Sequence, residues 1–179
     1  MKFQSSFFVL ASLLSVGLAT TTADVEADIA SITSQTKALD AAIIAFPNTG
    51  GSLVNALAIH TDAVNLGSAI DKGTTDVNAV TPKPVSEADG NTILAAVQAL
   101  EPIIIDTVTQ IVNKKPAFQA LPIGGIPALV KQDLINLNAS TSKFEAALIG
   151  SAPSDLIPAA TAIKTAVDAA LASGIAAYS

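Results

Sequence analysis

The sequence predicts an all-α protein, a single antiparallel bundle of about five helices that follows a cleaved signal peptide. Alanine, the residue with the highest helix propensity, occurs 34 times in 179 residues. Along long segments, apolar residues recur every three or four positions, which is the spacing of one helix face. Sustained alternation of apolar and polar residues between turns, the pattern of β-strands, is missing. Short Pro- and Gly-rich breaks separate the segments, and this favours antiparallel neighbours.

Residues 1–19 have the pattern of a secretory signal peptide. Lys2 supplies a positive charge, an apolar run follows, and the small residues Gly17 and Ala19 precede the expected cleavage point. The run is shorter than the ~20 apolar residues that a membrane span needs, so we expect no transmembrane segment. Residues 20–179 are then expected to form one secreted domain.

The helical pattern has recognisable start and stop signals. Ser52 and Ser86 are expected N-caps, and Ser154 or Asp155 should cap the last helix. Pro102 lies inside the third segment and should kink that helix or split it. We expect the five helices over residues 22–46, 53–80, 86–114, 127–149 and 154–178.

A connector over residues 117–126 joins the third and fourth predicted helices. It carries the apolar residues Phe118, Leu121 and Ile123 beside a proline and two glycines. Two interpretations are open: residues 118–127 form a mobile apolar lid, or they form a fixed strap over the core.

Composition and charge exclude several classes of function. The net charge is -6, cysteine and arginine are missing, and His60 is the sole histidine. A nucleic-acid binder needs a basic face, and zinc or disulfide scaffolds need cysteine. His60 has no partner at a suitable spacing, so we interpret it as a surface or boundary residue, and Asp24 and Asp28 as helix-start charges. We therefore predict a protein that is not an enzyme and holds neither metal nor cofactor.

The order of several motifs resembles a known family. A start DVEADI at residues 24–29 is followed by LDAAI at 39–43 and by Phe-Pro at 46–47 before a Gly-rich turn. Later come FEAAL at 144–148 and a last helix around 163–171. In these features the mature chain resembles the fungal hydrophobic surface-binding protein A family, which is related to cell-wall galactomannoproteins.

The resemblance implies a secreted helical bundle that acts by binding. Family members adsorb to hydrophobic surfaces and recruit polymer-degrading esterases, and related galactomannoprotein domains hold fatty acids in an apolar tunnel between helices. Some members carry a Ser/Thr-rich tail with a lipid-anchor signal. This sequence ends at Ser179 without that pattern, so we expect a protein that is freely secreted or loosely associated with the cell wall.

Three functions follow as alternatives. The first is binding of a fatty acid or other lipid in an apolar cavity, because many small residues and few large ones leave room between helices. The second is adsorption to hydrophobic solid surfaces with recruitment of a secreted polyesterase, an esterase or cutinase. The third is a passive cell-wall protein or antigen without a ligand.

Candidate site residues come from the apolar stripes. Thr36 and Thr141 interrupt two stripes, so either hydroxyl can bind a lipid headgroup or, alternatively, bond a carbonyl one turn back in its own helix. Gln98 and Gln110 are weaker candidates for the headgroup. Asn138 is the candidate glycosylation site, because residues 138–140 form the N-x-S/T sequon that glycoproteins use. The candidates for lining the cavity are Ile32, Leu39, Ile43, Leu57, Val64, Val97, Leu100, Ile104, Leu137, Phe144, Ile163 and Val167.

Overall fold

A computed structural model describes residues 19–179, and residues 1–18 of the predicted signal peptide lie outside this range. The described chain is helical and holds no strand, which confirms the predicted fold class. Its helices are α1 (Thr22–Ala45), α2 (Leu53–Ala79), α3 (Glu87–Asn113), α4 (Lys115–Gln119), α5 (Ile126–Ser151) and α6 (Ile157–Ala177).

Side-chain caps fix where the first three helices begin. The hydroxyl of Thr21 accepts from the backbone N–H of Asp24, whose carboxylate accepts from Thr21 in return. The Oγ of Ser52 accepts from the backbone N–H of Asn55 at 3.1 Å. Ser86 accepts from the third residue beyond it in the same way. Each cap satisfies an N–H group that has no partner inside the helix.

The structure differs from the sequence prediction at three places. α3 is not split at Pro102, because the carbonyl that loses its partner belongs to Gln98 and both residues face solvent; a kink at Pro102 stays a prediction. The short helix α4 begins before the predicted connector and overlaps its first residues. α6 begins at Ile157 without a side-chain cap, so neither Ser154 nor Asp155 caps it.

The five long helices form a closed ring. α1 packs against α2 and α3, α2 packs against α5, and α6 closes the ring by packing against both α5 and α3. Five cylinders in a ring leave a wider space along their common axis than four do. This arrangement, which we call the five-helix ring, therefore encloses axial volume that inward side chains fill only in part.

Aromatic side chains seal one end of the ring. The ring of Phe118 in α4 lies with its centroid 4.6 Å from that of Phe46, which follows α1, and both are buried. Leu121 is buried beside them, whereas Ile123 is exposed. The burial of Phe118 and Leu121 is what a fixed strap over the core would show, and Ile123 is directed outward.

α3 combines length with an apolar composition. Among the described helices, it alone is long and apolar enough to cross a membrane by length and composition, with a mean hydropathy of 1.4 over 18 residues. Core helices of globular proteins meet the same criterion, but only 17% of the residues in this window of α3 are buried. Here α3 takes its place in the five-helix ring between α1 and α6.

Candidate functional site

The first of two apolar cavities inside the five-helix ring lies toward the end that Phe118 seals. It has a volume of about 70 Å³, and all five long helices contribute to its wall. Thr36 and Thr141 both line it, so the structure brings the two headgroup candidates to one space. The predicted lining residues found here are Ile32, Leu39, Ile43, Ile104 and Leu137.

The second cavity lies toward the other end of the ring. Its volume is about 50 Å³, and its wall comes from the start of α1, α3 and α6 and from the end of α2 and α5. Of the predicted lining residues, Val97 and Ile163 are found here. Most other wall residues are apolar, but Glu145 and Lys164 also reach this space.

A layer of side chains separates the two cavities. We call it the partition; it consists of one position on each long helix that falls between the two sets of wall residues. Its members are Ile29, Gly73, Leu100, Phe144 and Val167. Three of them, Leu100, Phe144 and Val167, were predicted to line a cavity and are instead buried between two cavities.

Phe144 is the largest side chain of the partition, and Gly73 makes room for it. A Cβ atom added to Gly73 would lie 3.0 Å from Cε2 of Phe144 and 3.5 Å from the side chains of Asp28 and Ile32. Any larger residue at position 73 would therefore push the phenyl ring.

Leu57 and Val64 do not line the axial cavities, which corrects their prediction. They are 42% and 49% exposed, on the outer side of α2. The inward line of α2 runs through Ala56 and Ala63, and each predicted residue follows one of these by a 100° step around the helix. The apolar surface of α2 is thus wider than the face that the ring buries.

The polar candidates differ in what their side chains bond. The hydroxyl of Thr36 donates to the carbonyl of Ile32 at 2.8 Å, which is the alternative that needs no ligand. For Thr141, the structure records no such bond to a described residue, so its hydroxyl can still serve a ligand. Gln98 and Gln110 line neither cavity.

A histidine–carboxylate pair stands at the α2–α5 seam, and the sequence analysis missed it. Nδ1 of His60 lies 2.9 Å from both carboxylate oxygens of Asp133, and both residues line the first cavity. Burial raises the pKa of Asp133, and the bond from His60 offsets part of that rise. His60 is half-buried, as expected of a boundary residue, but its partner lies 73 positions away.

A second polar group stands at the α5–α6 seam beside the second cavity. Nζ of Lys164 lies 3.1 Å from Oε2 of Glu145 and 2.7 Å from Oδ2 of Asp168. Glu145 is buried, and this burial raises the pKa of its carboxyl to about 7 although Lys164 acts in the opposite direction. The hydrogen bonds to Asp168 and Glu145 hold the pKa of Lys164 above its usual value.

Charge patterns elsewhere suggest structural roles. Asp28, interpreted as a helix-start charge, is instead buried against Gly73 and accepts from Nζ of Lys72 at 2.6 Å.

Within residues 19–179, no cluster of three or more His, Asp or Glu side chains could hold a metal ion. Asn138 is half-buried in the middle of α5, and its glycosylation remains a prediction.

Comparison with protein families identifies the chain. A family described as hydrophobic surface binding protein A matches residues 22–150. The chain belongs to this family. The matched residues cover α1 to α5 and thus most of the five-helix ring, as the resemblance predicted. A comparison with curated proteins gave no match.

Solved structures share the fold of this family member. It is similar to Afmp4p, whose crystal structure is in complex with palmitic acid, at 28% identity and a TM-score of 0.81 over 88% of this chain and 99% of that one. Ligand binding domain 1 of the Penicillium marneffei MP1 protein, complexed with arachidonic acids, gives 23% and 0.78 over 88% and 99%. Domain 2 of that protein, complexed with multiple arachidonic acids, gives 19% and 0.75 over 86% and 92%.

Proposed function

We propose that the protein binds a fatty acid inside the five-helix ring and has no catalytic activity. The observation that carries the proposal is the pair of apolar cavities along the axis, walled by helices from every side. Burial of an acyl chain contributes about 0.8 kcal/mol per CH₂, less the cost of ordering the chain. The complexes of Afmp4p with palmitic acid and of the MP1 domains with arachidonic acids support this ligand class.

The acyl chain occupies one cavity or runs through both. Each cavity is narrow, and the partition lies between them, so a long chain needs the ring of Phe144 to turn aside. Turning that ring would join the two spaces into one axial tunnel. The length of the preferred acyl chain then reports which of the two arrangements is used.

Extraction of the native protein tests the proposal. The protein is purified without detergent, extracted with organic solvent, and the extract is measured by mass spectrometry against the protein concentration. Delipidated protein is then titrated with palmitic acid by calorimetry. We expect stoichiometric fatty acid in the extract or saturable binding in the titration. A clean extract together with no binding heat would reject fatty-acid binding.

Adsorption to hydrophobic surfaces is a second candidate function, favoured by a different observation. Val54, Leu57 and Val64 are 75%, 42% and 49% exposed, and their spacing places them along one side of α2. Exposed apolar side chains that share a face are typical of a contact surface. We call these three residues the α2 stripe.

A triple serine variant of the α2 stripe tests adsorption. Wild type should be depleted from solution by wax or polyester particles, and the variant should remain in solution. The matched control replaces Ile44, Ile135 and Ile157 by serine, since these are exposed apolar residues on α1, α5 and α6. Equal depletion of all three proteins would mean that the α2 stripe is not the adsorbing surface.

Secretion and enzyme recruitment complete the proposal. Secretion rests on the signal-peptide pattern of residues 1–19, and N-terminal sequencing of protein from culture medium should begin at residue 20. Recruitment of a secreted polyesterase rests on the family resemblance, and it is tested by depletion of an esterase onto coated polyester. Protein that neither binds lipid nor adsorbs would fit a passive wall component.

A further inference from the structure

We propose that Lys164 holds the carboxylate of the bound lipid at the second cavity, so that the protein selects free fatty acids over neutral lipids. This inference rests on the proposed function and adds the headgroup site and the ligand's charge to it. A carboxylate brought into an apolar cavity is costly unless it is paired or reaches water. The site must therefore offer a cation, a hydrogen-bond donor or an opening.

Lys164 is the cation that the second cavity offers, whereas His60 in the wall of the first cavity is already paired with Asp133. Lys164 is the sole lysine in the walls of the two axial cavities, and the sequence holds no arginine. Its side chain is 29% exposed, so the ammonium group lies where the cavity meets water while the stem borders the apolar wall. A fatty acid can place its carboxylate there and its tail among Val97, Leu148 and Ile163.

Two carboxylates hold Lys164 in position, and they differ in exposure. Asp168 lies on the outer side, half-exposed, and also accepts from Oγ of Ser142 at 3.2 Å. Glu145 lies on the cavity side and is buried. At mildly acidic pH the raised pKa of Glu145 keeps that carboxyl protonated, so it does not compete for Lys164 and can donate a hydrogen bond to the ligand. Asp168 and Glu145 are the charged groups within ion-pair distance of Lys164 in the described chain.

The first cavity is less suited to a carboxylate. Its charged wall residue is Asp133, paired with His60, and a second carboxylate beside it would be repelled. The apolar remainder of that cavity suits an acyl tail. The two cavities thus differ in the end of a fatty acid that each can accept.

The test compares two ligands and two variants at pH 6. Delipidated wild type, Lys164→Met and Lys72→Met are each titrated with palmitate and with methyl palmitate, which has the same tail without the charge. Lys72 is the matched control, because it is also bonded to two carboxylates but lines neither axial cavity. We expect Lys164→Met to lose about ten- to a hundred-fold in palmitate affinity and to bind the ester as wild type does. Lys72→Met should match wild type with both ligands.

Several results would overturn the inference. Palmitate binding by Lys164→Met at wild-type affinity would remove Lys164 from the site, while leaving fatty-acid binding intact. If that variant does not fold, wild type alone decides, because equal affinity for palmitate and its methyl ester would show that the charge is not recognised. A wild type that binds neither ligand rejects the proposed function itself and this inference with it.

Discussion

Phe144 controls the shape of the interior through one side chain. Its ring fills the place that Gly73 leaves open, and it is the largest side chain in the partition between the two cavities. Close packing makes such a barrier effective, since a native interior leaves few gaps between side chains. Under the proposed function, Gly73 and Phe144 would therefore set the length of the acyl chain that the interior accepts.

Replacement of Phe144 by alanine should join the cavities. We expect a loss of about 3–5 kcal/mol in the free energy of unfolding, the usual cost of removing a buried phenyl ring. We also expect a shift of preference toward longer acyl chains, measured by calorimetry with fatty acids of increasing length. Phe46→Ala is the control, since Phe46 is also buried but lies outside both cavities. An unchanged chain-length preference in Phe144→Ala would contradict the partition.

Glu145 should make the stability of the protein depend on pH. Its carboxyl has a pKa of about 7 in the folded protein against 4.5 without the fold, so the folded state binds the extra proton between these values. The contribution of Glu145 to the free energy of unfolding is therefore fully present below about pH 4.5 and is lost as pH rises through 7. Glu145→Gln cannot lose a proton and should escape this fall.

Urea unfolding of wild type and Glu145→Gln at pH 5 and pH 8 measures the effect. The variant should gain about 1–2 kcal/mol relative to wild type between the two conditions, a value reduced for the screening that water near Lys164 provides. Asp168→Asn is a useful comparison, because this carboxylate is half-exposed. The same pH dependence in wild type and Glu145→Gln would show that another group is responsible.

At the scale of helices, the sequence predicted most of what the structure contains. Local signals such as the cap at Ser52 and the three-four spacing of apolar residues depend on neighbours within one turn, so they are readable in the chain. Hydrogen bonds between helices cannot be predicted from local sequence in this way, because partners such as His60 and Asp133 are 73 positions apart. One signal was available: Asp133 and Glu145 fall within the apolar stripe of α5, where a charged residue calls for a partner.

A buried hydroxyl forms a hydrogen bond across the packed seam between α3 and α6. Tyr178 follows α6 and donates to the carbonyl of Ile111 in α3 at 2.6 Å. Tyr178→Phe should lower the free energy of unfolding by about 1–2 kcal/mol, because the buried carbonyl loses its donor. Urea unfolding should show a lower midpoint at an unchanged slope. Ser179→Ala, an exposed neighbour, should have no effect; equal midpoints for wild type and Tyr178→Phe would show that this bond adds no stability.

At the scale of the molecule, the five-helix ring makes fewer contacts along its axis than a fully packed bundle would, because it leaves two cavities there. A bundle whose axis is not filled forgoes dispersion contacts along its interior, and a ligand that enters restores them. Function and stability are therefore coupled, since any compound that binds the folded state alone raises its stability. The arrangement of five helices around an axis could not be read from helix patterns, which carry no information on which helices are neighbours.

Fatty acid should raise the melting temperature of the delipidated protein. At a free concentration a hundred times the Kd, the added stability is about 2.7 kcal/mol, which corresponds to roughly 5–10 °C for a chain of this size. Scanning calorimetry at several ligand concentrations measures it. The serine variant of the α2 stripe should show the same rise, because its changes lie outside the ring. A melting temperature that does not respond to saturating palmitic acid would contradict internal binding.

Tyr178 has a practical consequence, because the chain contains one tyrosine and no tryptophan. When the protein is excited at a wavelength that phenylalanine does not absorb, its intrinsic ultraviolet emission therefore originates at a single point, where α6 meets α3. A phenol ring whose hydroxyl donates to a carbonyl emits differently from one whose hydroxyl is in water. Opening of that seam is therefore visible as a change in tyrosine fluorescence, without any attached dye. Stopped-flow mixing with vesicles or oil droplets can thus measure whether, and how fast, the seam separates when the protein contacts an apolar surface.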